Sequence, residues 1–416
     1  MSPRSRSLPL ADRHELVRRS NVELVFRAIT EHAPVEKSTL VELTGLSKPT
    51  VLSVVSALVD EGLVRPLADG APATPRGAGR IPVAFEPNPQ AAYVVGVDLG
   101  GTKVSVALGD LTGAALAKVE EFTDERGGMD VIRQIARLAR EVAAQGGIPW
   151  RRVDALSLGT PGVQNPDGTI RLADNVRGLD EVRVASALRR LLRTEVRVEN
   201  DVNMAVLGEF ELGVAAGCRN FVLLALGTGV GMGVMVDGRI IRGSRGAAGE
   251  VAYLPIGGVP SAPASLRRGT FEVAAAGSGV GEILKRRLSR QRRLSGTSLH
   301  TGSSARDIYS AAALGDSLAA EVVREHAELV AQAVLAVASV VDPELVVMGG
   351  GIGSNPLLLT PLRDAVGRIT PWPIRVESSS LGADAGLIGA VHHARRSLPE
   401  VESARVSARL QSGELG

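Results

Sequence analysis

The stretch "VVGVDLGGTKVSVALGD", Val94–Asp110, decides how this chain is read. Apolar residues run almost unbroken up to Asp98, two glycines follow, and a second apolar run opens after Lys103. That is a buried strand, a tight turn and a returning strand. Gly100 and Gly101 let backbone N–H groups approach phosphate oxygens, with Thr102 and Lys103 beside them, and Asp98 is placed to hold a hydrated magnesium ion. A glycine turn after a strand often serves only tight packing, so this turn needs support from elsewhere in the chain.

Downstream, "ALSLGTPG", "FVLLALGTG", "VGMGVMVDG" and "LVVMGGG" alternate with helical stretches, which indicates an α/β body with ligand loops at its strand ends. A second glycine turn brings Gly227, Thr228 and Gly229. A third, "VVMGGGIGSN", brings Gly350 to where an adenine or ribose would pass. Three such turns strengthen the phosphate reading. Between the first two lies "VRVENDVNMAVLGE", with Asn200 and Asp201 at the junction of a strand run and a helix. A carboxylate there can take the proton from a sugar hydroxyl as it attacks a γ-phosphate, or it can simply cap the helix.

Upstream, "KSTLVELTGLSKPTVLSVVSALVDEGLV" has the pattern of two short helices about a turn at Gly45. Leu40, Val41 and Leu43 form the apolar face of the first helix, and Leu46 is the buried turn residue. Ser47 caps the second helix and Pro49 sits in its first turn. Val51, Val55, Leu58 and Val59 point inward, which leaves Lys48, Thr50 and Ser53 outward, where a recognition helix meets a major groove. "GLVRPL" and "RIPVAFEP" flank a Gly/Pro-rich loop as a wing, with Arg76 and Arg80 set to meet the DNA backbone or a minor groove. A helical hairpin used for protein contacts is the alternative.

The 416 residues suit two or three domains, and 44% hydrophobic with 22% charged residues is a globular composition. Net charge is only +2, so a DNA reading rests on the local motif. A single cysteine, Cys218, excludes an intramolecular disulfide and any cysteine-based metal cluster. The basic N-terminus lacks the apolar run of a signal peptide, and no apolar stretch reaches membrane-spanning length, so a cytoplasmic protein is expected.

Taken in order, "DLGGTK", "LGTPGV", "ENDVNMAVLGE", "LGTGVGMGV", "GAAGEVAYLPI" and "DPELVVMGGG" resemble the successive motifs of the ROK family of repressors, open reading frames and kinases. With the head in front, the chain is similar to that family's transcriptional regulators. The resemblance implies a winged helix-turn-helix followed by a two-lobed actin-like (ribonuclease H-like) sugar-kinase fold. Its parts would be a mobile arm over 1–20, the winged head over 21–88, lobe I over 91–205 with a last helix over 384–398 returning to it, and lobe II over 206–383. It implies Asp201 as catalytic base, and Asn175, Asn200, Glu250 and Glu272 as sugar-hydroxyl ligands.

Family members carry a histidine three residues after the Glu of "GE", then a Cys-x-Cys-Gly-x-x-Gly-Cys-x-Glu segment that binds zinc. Here Tyr253 stands at the histidine, and Pro263, Ser265 and Thr270 stand at the cysteines. No structural zinc is therefore expected, and Tyr253 becomes a sugar contact. The resemblance implies a sugar-responsive repressor binding an inverted-repeat operator in double-stranded DNA as a homodimer or homotetramer, with no required cofactor. The alternative is an ATP- and Mg2+-dependent sugar kinase carrying a DNA-binding head.

Overall fold

The structure, a computed structural model, describes residues 10–67, 83–165, 168–171, 175–290 and 297–412. Helix α1 (Leu10–His32) starts inside the segment read as a mobile arm. The reason is visible further along the helix. Val22, Val25, Phe26 and Ile29 recur at helical spacing and are buried, and Arg19 reaches the Glu400 carbonyl and Ser403 Oγ.

After β1 (Val35–Glu36) comes α2 (Lys37–Thr44), closed by Gly45 at φ 68°. Helix α3 (Lys48–Asp60) starts at Ser47, whose Oγ accepts from the Thr50 N–H at 3.4 Å. Val51, Val54, Val55, Ala57 and Leu58 are its buried side, and Val59 is half-buried. Leu43, read as part of the apolar face of α2, is instead 45% exposed, so Leu40 anchors that helix with Val41 half-buried. Strands β2 (Val64–Pro66) and β3 (Ala84–Pro87) complete an antiparallel sheet of order β1-β3-β2. The loop joining β2 to β3, with Arg76 and Arg80, lies outside the described residues.

The body begins with the antiparallel meander β4 (Tyr93–Leu99), β5 (Lys103–Asp110) and β6 (Ala115–Phe122). Helix α4 (Gly128–Gln145), β7 (Val153–Thr160), the hairpin β8 (Val163–Gln164) and β9 (Ile170–Arg171), α5 (Val184–Leu192) and β10 (Glu195–Asn200) follow. The sheet order is β10-β7-β4-β5-β6, with β4, β7 and β10 parallel, so Leu99, Thr160 and Asn200 end on one edge. Strands β4 and β7 read as continuous apolar runs because both faces of the sheet are covered. Helix α6 (Asp201–Leu212) rises directly from β10.

A second sheet, order β13-β12-β11-β14-β15, holds β11 (Phe221–Leu226), β12 (Val230–Val236), β13 (Arg239–Ile240), β14 (Leu345–Gly349) and β15 (Val376–Ser378). Its helices are α7 (Pro263–Arg268), α8 (Thr270–Ala275), α9 (Gly277–Arg290), α10 (Ala305–Ala313), α11 (Ser317–Val341), α12 (Gly350–Gly353) and α13 (Pro356–Ile369). Small and β-branched residues fill this core, as the 3% aromatic content requires.

Helix α14 (Ala385–Ser412) returns to the first sheet and runs past the expected end at 398, because Glu402, Ser403 and Val406 remain buried. It crosses α6 backbone to backbone. A Cβ on Gly389 would lie 1.7 Å from the Met204 carbonyl oxygen, and one on Gly208 2.2 Å from that of Ala385. The division expected at 205/206 falls within α6, whose Val206 packs against Phe221, Leu223 and Leu345 of the second sheet. One hydrophobic cluster joins Phe26 and Ile29 of α1, Val55 and Leu58 of α3, Leu387, Val391, Ala394 and Leu398 of α14, and Val94, Ala107 and Ala155 of the first sheet. Among the described residues, no helix is long and apolar enough to cross a membrane.

Candidate functional site

The strand ends of the two sheets face a cleft of about 360 Å³. Asn175, Asn200, Asp201, Glu250, Tyr253 and Glu272 all line it, as do Gly227, Thr228, Gly229 and Gly350 and, from the "LGTPGV" turn, Pro161 and Gly162. Residues scattered over the sequence thus converge because α6, β12, α8 and the loop before Val251 all point inward from separate elements.

Asn200, not Asp201, caps α6. Its Oδ1 accepts from the N–H groups of Val202 (2.9 Å) and Asn203 (3.2 Å), while its Nδ2 donates to the Gly162 carbonyl at 3.1 Å. One amide hydrogen is left for a ligand. Capping by Asn200 frees the Asp201 carboxylate, which accepts the Val202 N–H at 2.9 Å and has no side-chain partner among the described residues. Desolvation at the cleft floor raises Asp201, and that N–H partly opposes the rise. Glu250, open to the cleft yet walled on its inner side, is raised first by desolvation and then by Asp201. Glu272 is already engaged: Val230 N–H donates to Oε2 at 3.0 Å and Arg268 Nε to Oε1 at 2.9 Å.

The first glycine turn behaves differently from the others. None of Asp98, Gly100, Gly101, Thr102 and Lys103 is among the residues lining the cleft. Lys103 Nζ is bonded to Glu120 at 2.9 Å, and a Cβ on Gly101 would lie 2.7 Å from the Asn175 carbonyl oxygen. Asp98 sits behind the cleft against Gly386 of α14, where burial and the Asp201 charge push it up to about 7. Of the glycine turns, those at Gly227–Gly229 and Gly350 are the ones that line the cleft. At φ 76° and with a Cβ only 2.4 Å from the Leu226 carbonyl oxygen, Gly350 accepts no side chain. These glycines leave room for phosphates and fit a nucleotide. Lys103, held by Glu120, supplies no free cation to it.

At the segment read for zinc, Ser265 and Thr270 are buried and Pro263 opens α7. Among the described residues, no group of three or more His, Cys, Asp or Glu side chains is gathered as a metal site. The segment is held by other means. Tyr253 Oη donates to the Arg267 carbonyl at 3.4 Å, and His326 Nε2 pairs with the Ala275 carbonyl at 2.8 Å while its Nδ1 meets Tyr309 Oη at 3.0 Å. Burial holds His326 down to about 4, so its ring is neutral.

Sequence reasoning missed Arg267, Arg268 and Asn203, which also line the cleft. Arg268 ends α7 and pairs with Glu272 of α8 across Gly269, which at φ 91° breaks the helix between them. Asn203 Nδ2 donates to Glu199 Oε1 at 2.9 Å, and Glu199 Oε2 accepts from Arg242 Nε of the second sheet's side at 2.6 Å.

In the head, Ser47 and Lys48 are exposed, as is Ser53. Thr50 is half-buried, and its Oγ1 lies 2.8 Å from Ser47 Oγ, so part of its polar capacity goes to the cap.

Two mixed five-stranded sheets, each an antiparallel meander extended by parallel crossover strands about a shared cleft, define an actin-like kinase fold. The chain belongs to the ROK family, whose model matches residues 94–397. It is 32% identical over 311 residues to the glucokinase of Thermotoga maritima, spanning 71% of this chain and 95% of that one. It is 24% identical over 390 residues to the xylose repressor of Caldicellulosiruptor bescii, spanning 91% and 96%. Among solved structures, a ROK family transcriptional regulator homologous to the E. coli Mlc protein superposes with a TM-score of 0.77 at 19% identity, over 94% of this chain and 99% of that one. That last likeness speaks to the fold, and it extends over the head.

Proposed function

We propose that this protein is a sugar-responsive transcriptional regulator acting as a repressor. Its head is read as a winged helix-turn-helix, with α3 entering the major groove of double-stranded DNA. Ser47, Lys48, Thr50 and Ser53 would meet the groove, and Arg76 and Arg80 the flanking backbone. A sugar or sugar derivative is proposed to bind Asn175, Asn200, Asp201, Glu250, Tyr253 and Glu272. The observation that carries this reading is α14. Its first turn backs Asp98 behind the cleft, and its later turns share a core with α1 of the head. A ligand that closes the cleft can then bias the head, provided it binds one arrangement better than the other.

The kinase reading is kept because Asp201 pairs with no side chain among the described residues and lines the cleft together with the Gly227–Gly229 turn. With ATP and magnesium supplying the phosphoryl group, Asp201 would take the sugar hydroxyl proton. Two measurements divide the readings. Fluorescence anisotropy on DNA flanking the protein's own gene, at physiological salt with nonspecific competitor, should show specific binding that one sugar of a free and phosphorylated panel alters. The same panel with ATP should give no turnover. Turnover abolished by Asp201→Asn, with no specific DNA binding under any condition, would reverse the assignment.

A further inference from the structure

The end of the first sheet nearest the head carries a cluster of arginines that the cleft and the head leave unused. Trp150 Nε1 donates to the Leu192 carbonyl at 2.7 Å, and Thr194 Oγ1 donates to the Val153 carbonyl at 2.9 Å. These two bonds bind the segment before β7 to the segment before β10, and so bring Arg151, Arg152, Arg190 and Arg193 to one end of the body. Arg152 stacks over Tyr93 with its guanidinium 5.0 Å from the ring and donates to the Gln90 carbonyl at 2.7 Å, so it fixes the cluster against the chain leaving the head.

The guanidiniums of Arg151, Arg190 and Arg193 are exposed and have no hydrogen bond or ion pair with any described residue. Helix capping does not account for them. At the C-terminal end of α5, the Arg189 carbonyl accepts from the Arg193 N–H, the Leu191 carbonyl from Arg140, and the Leu192 carbonyl from Trp150. Nor are the nearby carboxylates free: Glu195 pairs with Arg189 at 3.1 Å, and Asp154 accepts the Tyr93 N–H at 3.2 Å. Three exposed guanidiniums without a protein partner leave positive charge at this end of the body that a polyanion can neutralise.

We propose that Arg151, Arg190 and Arg193 form a second DNA contact, on the body rather than the head, that clamps the phosphate backbone flanking the sequence the head reads. It rests on the DNA-binding reading above and adds a site outside the winged motif. The chemistry is that of sequence-independent phosphate binding, in which each neutralised phosphate releases counterions.

The test uses the full-length protein and its Arg151→Ala/Arg190→Ala/Arg193→Ala variant on labelled random-sequence duplexes of about 15 and about 40 base pairs, titrated across salt. On the longer duplex the variant should bind roughly tenfold more weakly at physiological salt, with its salt slope shallower by about 2 to 3. On the shorter duplex the two proteins should match. The triple Lys variant should restore the slope, because phosphate needs charge more than guanidinium geometry. Equal affinity and slope of the variant and the parent protein on the long duplex would overturn the clamp alone. An equal loss on both duplexes would reassign the arginines to the head's own footprint. Failure of the parent protein to bind either random duplex would also overturn the clamp, whereas the regulator reading falls only if specific binding to its own flanking DNA is absent.

Discussion

Arg395 of α14 donates from Nη1 to the carbonyl oxygen of Thr30 in α1, 3.3 Å away. Its Nη2 lies 3.1 Å from Glu211, at the far end of the helix that begins with Asp201. Arg396 and His392 close on the same carboxylate, which their charges and hydrogen bonds hold down at about 2. Cleft, α6, α14 and head are therefore linked by one nearly buried ionic group.

Arg395→Met should loosen that link while Arg396 still neutralises Glu211. The expected outcome is unchanged sugar affinity by calorimetry and a sugar effect on DNA affinity reduced several-fold by anisotropy. Glu211→Gln is the harsher change. It strands buried cations and should cost about 3 to 5 kcal/mol of stability, read from denaturant midpoints.

The α6–α14 crossing tolerates no side chain at its closest point. Gly389→Ala would drive a methyl to within 1.7 Å of the Met204 carbonyl oxygen. Separating the helices should cost about 3 kcal/mol or more. Differential scanning fluorimetry should show a fall of roughly 5–10 °C. Gly367→Ala, with nothing within 4 Å of the added methyl, is the matched control and should leave the midpoint in place.

Asp98 gives the stability a pH signature. Its folded pKa of about 7 lies above the ordinary 3.8, so the folded chain keeps a proton that the unfolded chain releases. The contribution is complete below about pH 4 and is lost as pH rises through about 7, amounting to at most about 4 kcal/mol. Asp201 and Glu250 shift in the same direction. Urea midpoints of the parent protein should fall across that window, and those of Asp98→Asn should fall less. Parallel curves would remove Asp98 from this role.

Among the cleft acids, Glu250 and Glu272 should differ in function. The Glu250 carboxylate has no hydrogen-bonded partner among the described residues, so Glu250→Gln should weaken sugar binding about tenfold or more with little change in melting. Glu272 holds Val230 N–H and Arg268, so Glu272→Gln should lower the melting midpoint as well as affinity. Calorimetry paired with thermal melts separates the two outcomes.

The turns at Gly227–Gly229 and Gly350, which line the cleft, were legible because each ends a strand in a motif whose spacing is local, as was the Ser47 cap; the Gly100–Gly101 turn read the same way but does not line the cleft. What escaped reading depended on distance in the chain. Arg267 and Arg268 lay in the segment of the missing cysteines, and the Arg268–Glu272 pair forms across the Gly269 break between two helices, which spacing alone does not announce. The role of Asn200 as cap in place of Asp201 turns on one residue of register. That Lys103 turns to Glu120 on a neighbouring strand cannot be seen from either sequence position alone. Nor can the extension of α14 past residue 398, since it depends on α1 lying beside it from the other end of the chain.

That partnership between the two chain ends decides what can be cut away. Leu387, Val391, Ala394 and Leu398 are covered by Phe26, Ile29 and their neighbours in a single apolar mass. A truncated body lacking residues 10–67 would not be a smaller version of this protein. It would carry a newly wetted oily stripe along its last helix, and such stripes drive self-association. The head thus covers a face of the body that would otherwise meet water.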